Sequence, residues 1–138
     1  MALKIRPKRF GPVFVRFDGV GGVTFATDAN GPDQLHPPYD KPVLTMMASV
    51  GHCLVESIRI VASRENAEIA PFAISVVSEK ALDMPGRLQS IRCLVHGKLP
   101  DTPGGASNLV KQAKAICTVS NTLNCDITVE LGSAELSS

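Results

Sequence analysis

Residues 46–62 read MMASVGHCLVESIRIVA, and the reading of this stretch decides the fold. It is too long for one strand and apolar on almost every side, so it is a helix. Working outward, Pro42 sits where a first helical turn favours proline, with Asp40 or Lys41 at the cap. The pattern ends near Arg64, before RENAE, which makes a helix of residues 42–64 about 33 Å long. From Val43 to Val55 the only polar side chains are Thr45, Ser49 and His52. A helix apolar all round is buried all round. A chain of 138 residues can hardly wrap it alone, which predicts a second subunit, most simply in a two-fold homodimer. Gly51, mid-helix, costs about 1 kcal/mol against alanine. With Ala48 and Ser49 beside it, it predicts close approach of another backbone or a ligand.

Before the helix, GPVFVRF (11–17) and GGVTFATD (21–28) are rich in β-branched and aromatic residues, with turn chemistry in DGVGG between them. They predict an N-terminal β-hairpin. Residues 29–42, dense in Gly, Pro, Asn and Asp, predict a long loop of the kind that is often functional. After the helix, 72–82 and 87–99 predict two antiparallel strands joined at DMPG. The second alternates, with Ile91, Cys93, Val95 and Leu99 facing the core and Arg92, His96 and Lys98 facing water. A second helix is predicted over 106–118, and a last strand over 125–131 with Cys125, Ile127, Val129 and Leu131 on one face. The order predicts one α+β domain over 1–138, with antiparallel strands around the buried helix.

Charge and composition narrow the classes. Apolar residues make up 44%, charged residues 20%, and the net charge is +1, so nothing in the balance calls for nucleic acid or an anionic membrane. Lys4, Arg6, Lys8 and Arg9 near the N-terminus are read as a basic arm or edge strand. That segment lacks the apolar core of a secretory signal. No run of 18 uncharged apolar residues predicts a membrane span. Four cysteines without CxxC or Cys/His zinc spacing predict neither a disulfide scaffold nor a metal site. The expected compartment is a reducing cytoplasm.

Cys93 and Cys125 fall on the apolar faces of strands and are expected in the core. Cys53 and Cys117, on helices, are open to two readings by residue type alone: core packing or a reactive pair. The motifs HCLVESI, in a long apolar helix that starts at proline, and AKAICTVSNTL, with Cys117 64 positions beyond Cys53, resemble the OsmC/Ohr family of osmotically inducible and organic hydroperoxide resistance proteins. The resemblance covers residues of about 40–132. It implies an intertwined homodimer and peroxide reduction by Cys53 and Cys117, reset by an external lipoyl-type dithiol or a lipoylated protein, with no bound cofactor. The chemistry needs two thiols: one takes the peroxide oxygen and becomes a sulfenic acid, and the other converts it to a disulfide before overoxidation.

Cys53 is the expected attacker, since Cys117 near a helix C-terminus faces that end's partial negative charge. The resemblance also implies an arginine from the N-terminal β-region, for which Arg16 is the candidate, and a glutamate nine or ten residues before Cys53. Those positions hold Leu44 and Val43 instead, so Glu56, one turn beyond Cys53, is the substitute candidate. Its other reading is a helix charge paired with Arg59 or Arg64. Val43, Met46, Met47 and Val50 would suit an alkyl hydroperoxide, and His36 and Tyr39 are candidates to lie over the site. The competing reading is a non-peroxidatic relative that binds a small apolar or electrophilic ligand, with the cysteines a redox switch or core.

Overall fold

The structure, a computed structural model, describes residues 7–133, so Lys4 and Arg6 of the basic arm lie outside the described residues. Strands β1 (Arg9–Phe17) and β2 (Val23–Ala26) form the hairpin, and α1 spans Pro42–Arg64, as the sequence predicts. Then follow β3 (Phe72–Lys80), β4 (Leu88–His96), α2 (Gly105–Ile116), α3 (Thr118–Thr122) and β5 (Asp126–Leu131). The strands make one five-stranded sheet in the order β2-β1-β3-β4-β5.

The hairpin turn is held by Asp18, whose carboxylate accepts the backbone N–H groups of Val20, Gly21 and Gly22. Those bonds hold the Asp18 carboxyl below its ordinary range. The long loop after β2 returns to it at one point: Phe25 and Gln34 exchange two backbone hydrogen bonds.

The α1 helix lies across one face of the sheet. Val13, Val15 and Phe17 of β1, with Ile74 and Val76 of β3 and Cys93 and Val95 of β4, meet it in one apolar cluster. Gly51 marks the closest approach. A Cβ there would stand 2.7 Å from Val15 Cγ2 and 3.1 Å from Val76 Cγ2. The glycine therefore admits two valines of the chain's own sheet, rather than another backbone or a ligand as its position in the sequence implied. Between the sheet on one side and α2 and α3 on the other, ten residues of α1 are buried, from Met47 to Ala62. By length and composition α1 is apolar enough to cross a membrane, and this packing accounts for that apolarity. The uncovered stripe carries Thr45, Met46, Ser49, His52, Cys53, Glu56 and Ile60, with Ile60 47% exposed.

Three expectations are corrected. Strand β5 pairs parallel to β4, with Ile91 opposite Ile127 and Cys93 opposite Val129, so the sheet is mixed. Alternation reveals which face a strand buries but not the direction of its neighbour. His96 faces away from α1 yet is buried at 2% exposure. The chain after β5 folds back over it: Ser133 N–H donates to His96 Nδ1 at 3.1 Å, and His96 Nε2 lies 2.9 Å from Ser75 Oγ. With Nδ1 accepting, Nε2 carries the proton and donates to Ser75, and burial pushes the imidazole pKa down. Finally, Cys125 precedes β5 and is only half-buried, whereas Cys93 is fully enclosed.

Candidate active site

Cys53 sits halfway along α1, half-buried, at the margin of the uncovered stripe. Met46, two turns earlier, lies within about 20° of it around the helix axis. Cys117 comes from the other side, where the sequence predicts one helix over 106–118 and the structure has two. Cys117 adopts an extended conformation (φ −73°, ψ 101°), closing α2 and opening α3. The change matters for the sulfur. At the end of an unbroken helix it would face only carbonyls. At the break it faces the start of α3, where the Ser120 hydroxyl and backbone N–H lie close enough to lower the thiol's pKa, while the hydroxyl itself donates to the Cys117 carbonyl at 3.1 Å.

The two thiols are free and within hydrogen-bonding reach of each other. Burial pushes the Cys117 thiol up, because Cys117 is fully excluded from solvent. The nearby Ser120 hydroxyl and N–H pull the other way, and the neighbouring Cys53 adds to the rise. The balance leaves the Cys117 thiol raised, with Cys53 beside it. The arrangement thus holds one sulfur facing outward and a second one sealed behind it.

The other candidates are not gathered here. Arg16 follows Val15, which touches α1, so it points to the opposite face of the sheet. There it stacks on Phe14, pairs with Asp33 and donates to the carbonyl of Ala29 at 2.9 Å. Glu56 takes two hydrogen bonds from Arg59 at 3.1 Å and lies 3.7 Å from His52. Arg59 in turn stacks on Phe17. The pairing with Arg59 is thus the one Glu56 makes. Met47 and Val50 are wholly buried, and Met47 Sδ accepts the hydroxyl of Ser78 at 3.2 Å, so both face the core. Val43 lines a cleft with Phe10, Thr27 and Lys41. His36 and Tyr39 stack on each other in a separate cleft with Phe25 and Gln34. Neither cleft includes Cys53 or Cys117. Among the described residues no group of three or more His, Cys, Asp or Glu is placed to hold a metal ion.

Sequence reasoning passed over Ser120. Its signal is present: Cys-Thr-Val-Ser is the spacing at which a helix-opening residue meets the donors of the third helical position. The break that makes Cys117 such a residue is unmarked by glycine or proline.

The fold agrees with what the comparisons find. The family model for OsmC-like proteins matches residues 38–132. The chain belongs to the OsmC-like family. Solved structures share the fold of this OsmC-like chain. The organic hydroperoxide resistance protein OhrB of Bacillus subtilis is 18% identical, with 93% of this chain and 98% of that one covered and a TM-score of 0.57. An organic hydroperoxide resistance protein OsmC from Legionella pneumophila is 16% identical, with 95% and 99% covered and a TM-score of 0.56. An OsmC-like protein of unknown function from Vibrio cholerae is 12% identical, with 94% and 100% covered and a TM-score of 0.58. No curated protein matches the sequence.

Proposed function

We propose that this OsmC-like protein is a thiol-dependent peroxidase for organic hydroperoxides. The observation that carries the reading is the closeness of a partly exposed thiol, Cys53, to a fully buried one, Cys117, whose burial raises its pKa. The Cys53 thiolate attacks the distal peroxide oxygen, and the O–O bond breaks to release an alkoxide that leaves as the alcohol. Cys53 then carries a sulfenic acid. Cys117 attacks that sulfur, water leaves, and a Cys53–Cys117 disulfide remains. An external dithiol of the lipoyl type returns both sulfurs to thiols by exchange. A reducing cytoplasm suits a resting pair of free thiols.

The uncovered stripe of α1 supports a homodimer in which a second copy covers Met46, Cys53 and Ile60 and encloses the site. Light scattering at low micromolar concentration is expected to give twice the monomer mass, and a monomer alone would remove this part of the reading.

A second reading has an observation of its own. Arg16 is held on the far face of the sheet, and Val43 and Leu44 stand where a carboxylate is expected. A relative without thiolate activation would bind a small apolar or electrophilic ligand instead. Steady-state reduction of cumene hydroperoxide with dihydrolipoamide separates the two: turnover supports the peroxidase, and its absence, with the thiols intact, supports the binding protein.

A further inference from the structure

The proposed reaction leaves one buried titratable side chain unused: His96, at the end of β4, on the face of the sheet away from α1. The chain leaving β5 closes over it. Gly132 N–H donates to the carbonyl of Val95 at 2.7 Å, and Gly97 N–H donates to that of Ser133 at 3.0 Å. Between these two backbone bonds, Ser133 N–H donates to His96 Nδ1 at 3.1 Å. The fit is tight: a Cβ on Gly132 would stand 2.7 Å from His96 Cε1 and 2.8 Å from Nδ1. On the other side of the ring, Nε2 donates to Ser75 Oγ at 2.9 Å.

The two ring nitrogens respond differently to acid. Nε2 carries its proton already and keeps its bond to Ser75. Nδ1 is held as an acceptor, and once protonated it turns an N–H toward the N–H of Ser133. The surroundings offer the resulting cation no compensation. Toward β1, Arg16 lies in the same row beyond Ala73; it is itself a cation, paired with Asp33 of the loop before α1. Toward β5, the carboxylate on this face is Glu130, opposite Leu94, and it lies 3.5 Å from Arg92. On β3 the nearest residues, Ala73 and Ser75, do not titrate. Lys98, two residues on, is exposed and adds positive charge. At 2% exposure the ring is sealed from water while the segment is closed, so the charge is poorly solvated there.

We propose that His96 is an acid-operated latch: neutral, it pins the chain after β5 to the sheet, and protonated, it releases that chain from Gly132 onward while the core around α1 stays folded. The proposal is independent of the peroxidase reading. One proton moves from solvent to Nδ1, and the hydrogen bond from Ser133 is lost. Opening the segment then lets water reach the imidazolium. Burial lowers the imidazole pKa in the closed state, and the ordinary value returns in the open one. The closed state is therefore fully favoured above the ordinary histidine value of about 6.5, and it loses ground as pH falls from there toward the lower, closed-state value. Acidification is thus converted into an accessible segment of chain beside β5.

The test is amide hydrogen exchange by NMR in the full chain, from slightly alkaline to mildly acid pH, with each rate divided by that of an unstructured amide at the same pH. Protection at Gly97, Gly132 and Ser133 is expected to fall about tenfold per pH unit below about 6.5, while amides in the middle of α1 keep theirs. His96→Asn puts an amide oxygen near the position of Nδ1 that does not titrate, so the fall should flatten. Gly132→Ala drives a methyl group against the ring, so the segment should be open, with low protection, already in the alkaline sample. Protection that does not change with pH, a fall shared equally by α1, or an undiminished fall in His96→Asn overturns the proposal. Full protection of the segment in alkaline Gly132→Ala overturns it as well, and that arm stands even where His96→Asn does not fold.

Discussion

Cys53 stands midway along an unbroken 23-residue helix, and Cys117 stands in the gap between two helices. The difference teaches what each setting can do for a sulfur. Inside a helix every nearby backbone N–H is already committed to a carbonyl one turn back, so the helix fixes where Cys53 is and offers it no donor. A break frees donors, and the Ser120 hydroxyl and backbone N–H beside Cys117 pull its thiol down against burial. The outer thiol is positioned by packing, and the inner one is governed by hydrogen bonds and burial.

Exchanging the two settings' chemistry gives the largest effect. Cys53→Ser is expected to abolish peroxide turnover altogether. Cys117→Ser should still consume about one peroxide per chain, leaving a sulfenic acid on Cys53 that dimedone traps. Equal loss of that first burst in both variants would erase the division of labour drawn here.

Next comes the donor pair. Ser120→Ala removes the hydroxyl that donates to the Cys117 carbonyl and lowers the neighbouring thiol against burial, so this thiol rises further. A hydrogen bond to an ionised group is worth about 1.5 kcal/mol, roughly tenfold in thiolate. Closure of the disulfide, followed by quenched mass spectrometry after mixing with peroxide, should slow by about that factor. In both proteins it should quicken with rising pH, because a raised thiol gains thiolate as pH climbs toward its pKa. Consumption of the first peroxide should be unchanged.

The helix setting is probed at Gly51. Gly51→Ala gains about 1 kcal/mol of helix propensity but drives a methyl group to 2.7 Å from Val15 Cγ2 in a filled core. Overpacking costs about 1–3 kcal/mol. The expected net loss, up to about 2 kcal/mol, would appear in urea unfolding. A gain in stability would mean the helix can lift off the sheet at no cost.

The smallest effect lies outside both settings, at the hairpin turn. The Asp18 carboxylate is held below its ordinary value by the backbone N–H groups it accepts, so its contribution to stability is present above that ordinary value and is lost as pH falls through the lower, folded one. Asp18→Asn should therefore unfold more easily than the wild type at pH 7, with the gap closing in acid.

The helix setting was legible in the sequence and the break was not, for a physical reason. The span of α1 follows from an uninterrupted apolar run bounded by Pro42 and the charged residues after Arg64. The strands β1 to β4 follow from alternation and turn residues. The break at Cys117 has no such mark: Ile116, Cys117 and Thr118 are all acceptable helix interior residues. What bends the chain there is tertiary packing, which buries Cys117 completely. The burial of His96 was hidden for a similar reason. Its cover comes from Ser133, 37 residues later, and a local pattern carries no trace of so distant a neighbour. Arg16 was read by type, and its partner Asp33 was available only in space, whereas the pairing of Glu56 with Arg59, three residues on, was among the readings the sequence offered.

The parallel pairing of β5 with β4 also bears on the order in which the molecule assembles. Two antiparallel neighbours can be joined by a tight turn, but a parallel pair needs a crossover, and here residues 97–125 make it. Cys117 lies on that crossover, so the strand that closes the sheet and the thiol that completes the pair are carried by one segment. Contacts that span long stretches of chain are slow to form. The hairpin, α1 and the β3–β4 pair all precede Cys117 in the chain, so Cys53 emerges before the residue that is to meet it. During synthesis the newborn chain thus passes through an interval with one solitary thiol, and docking of the final strand ends that interval.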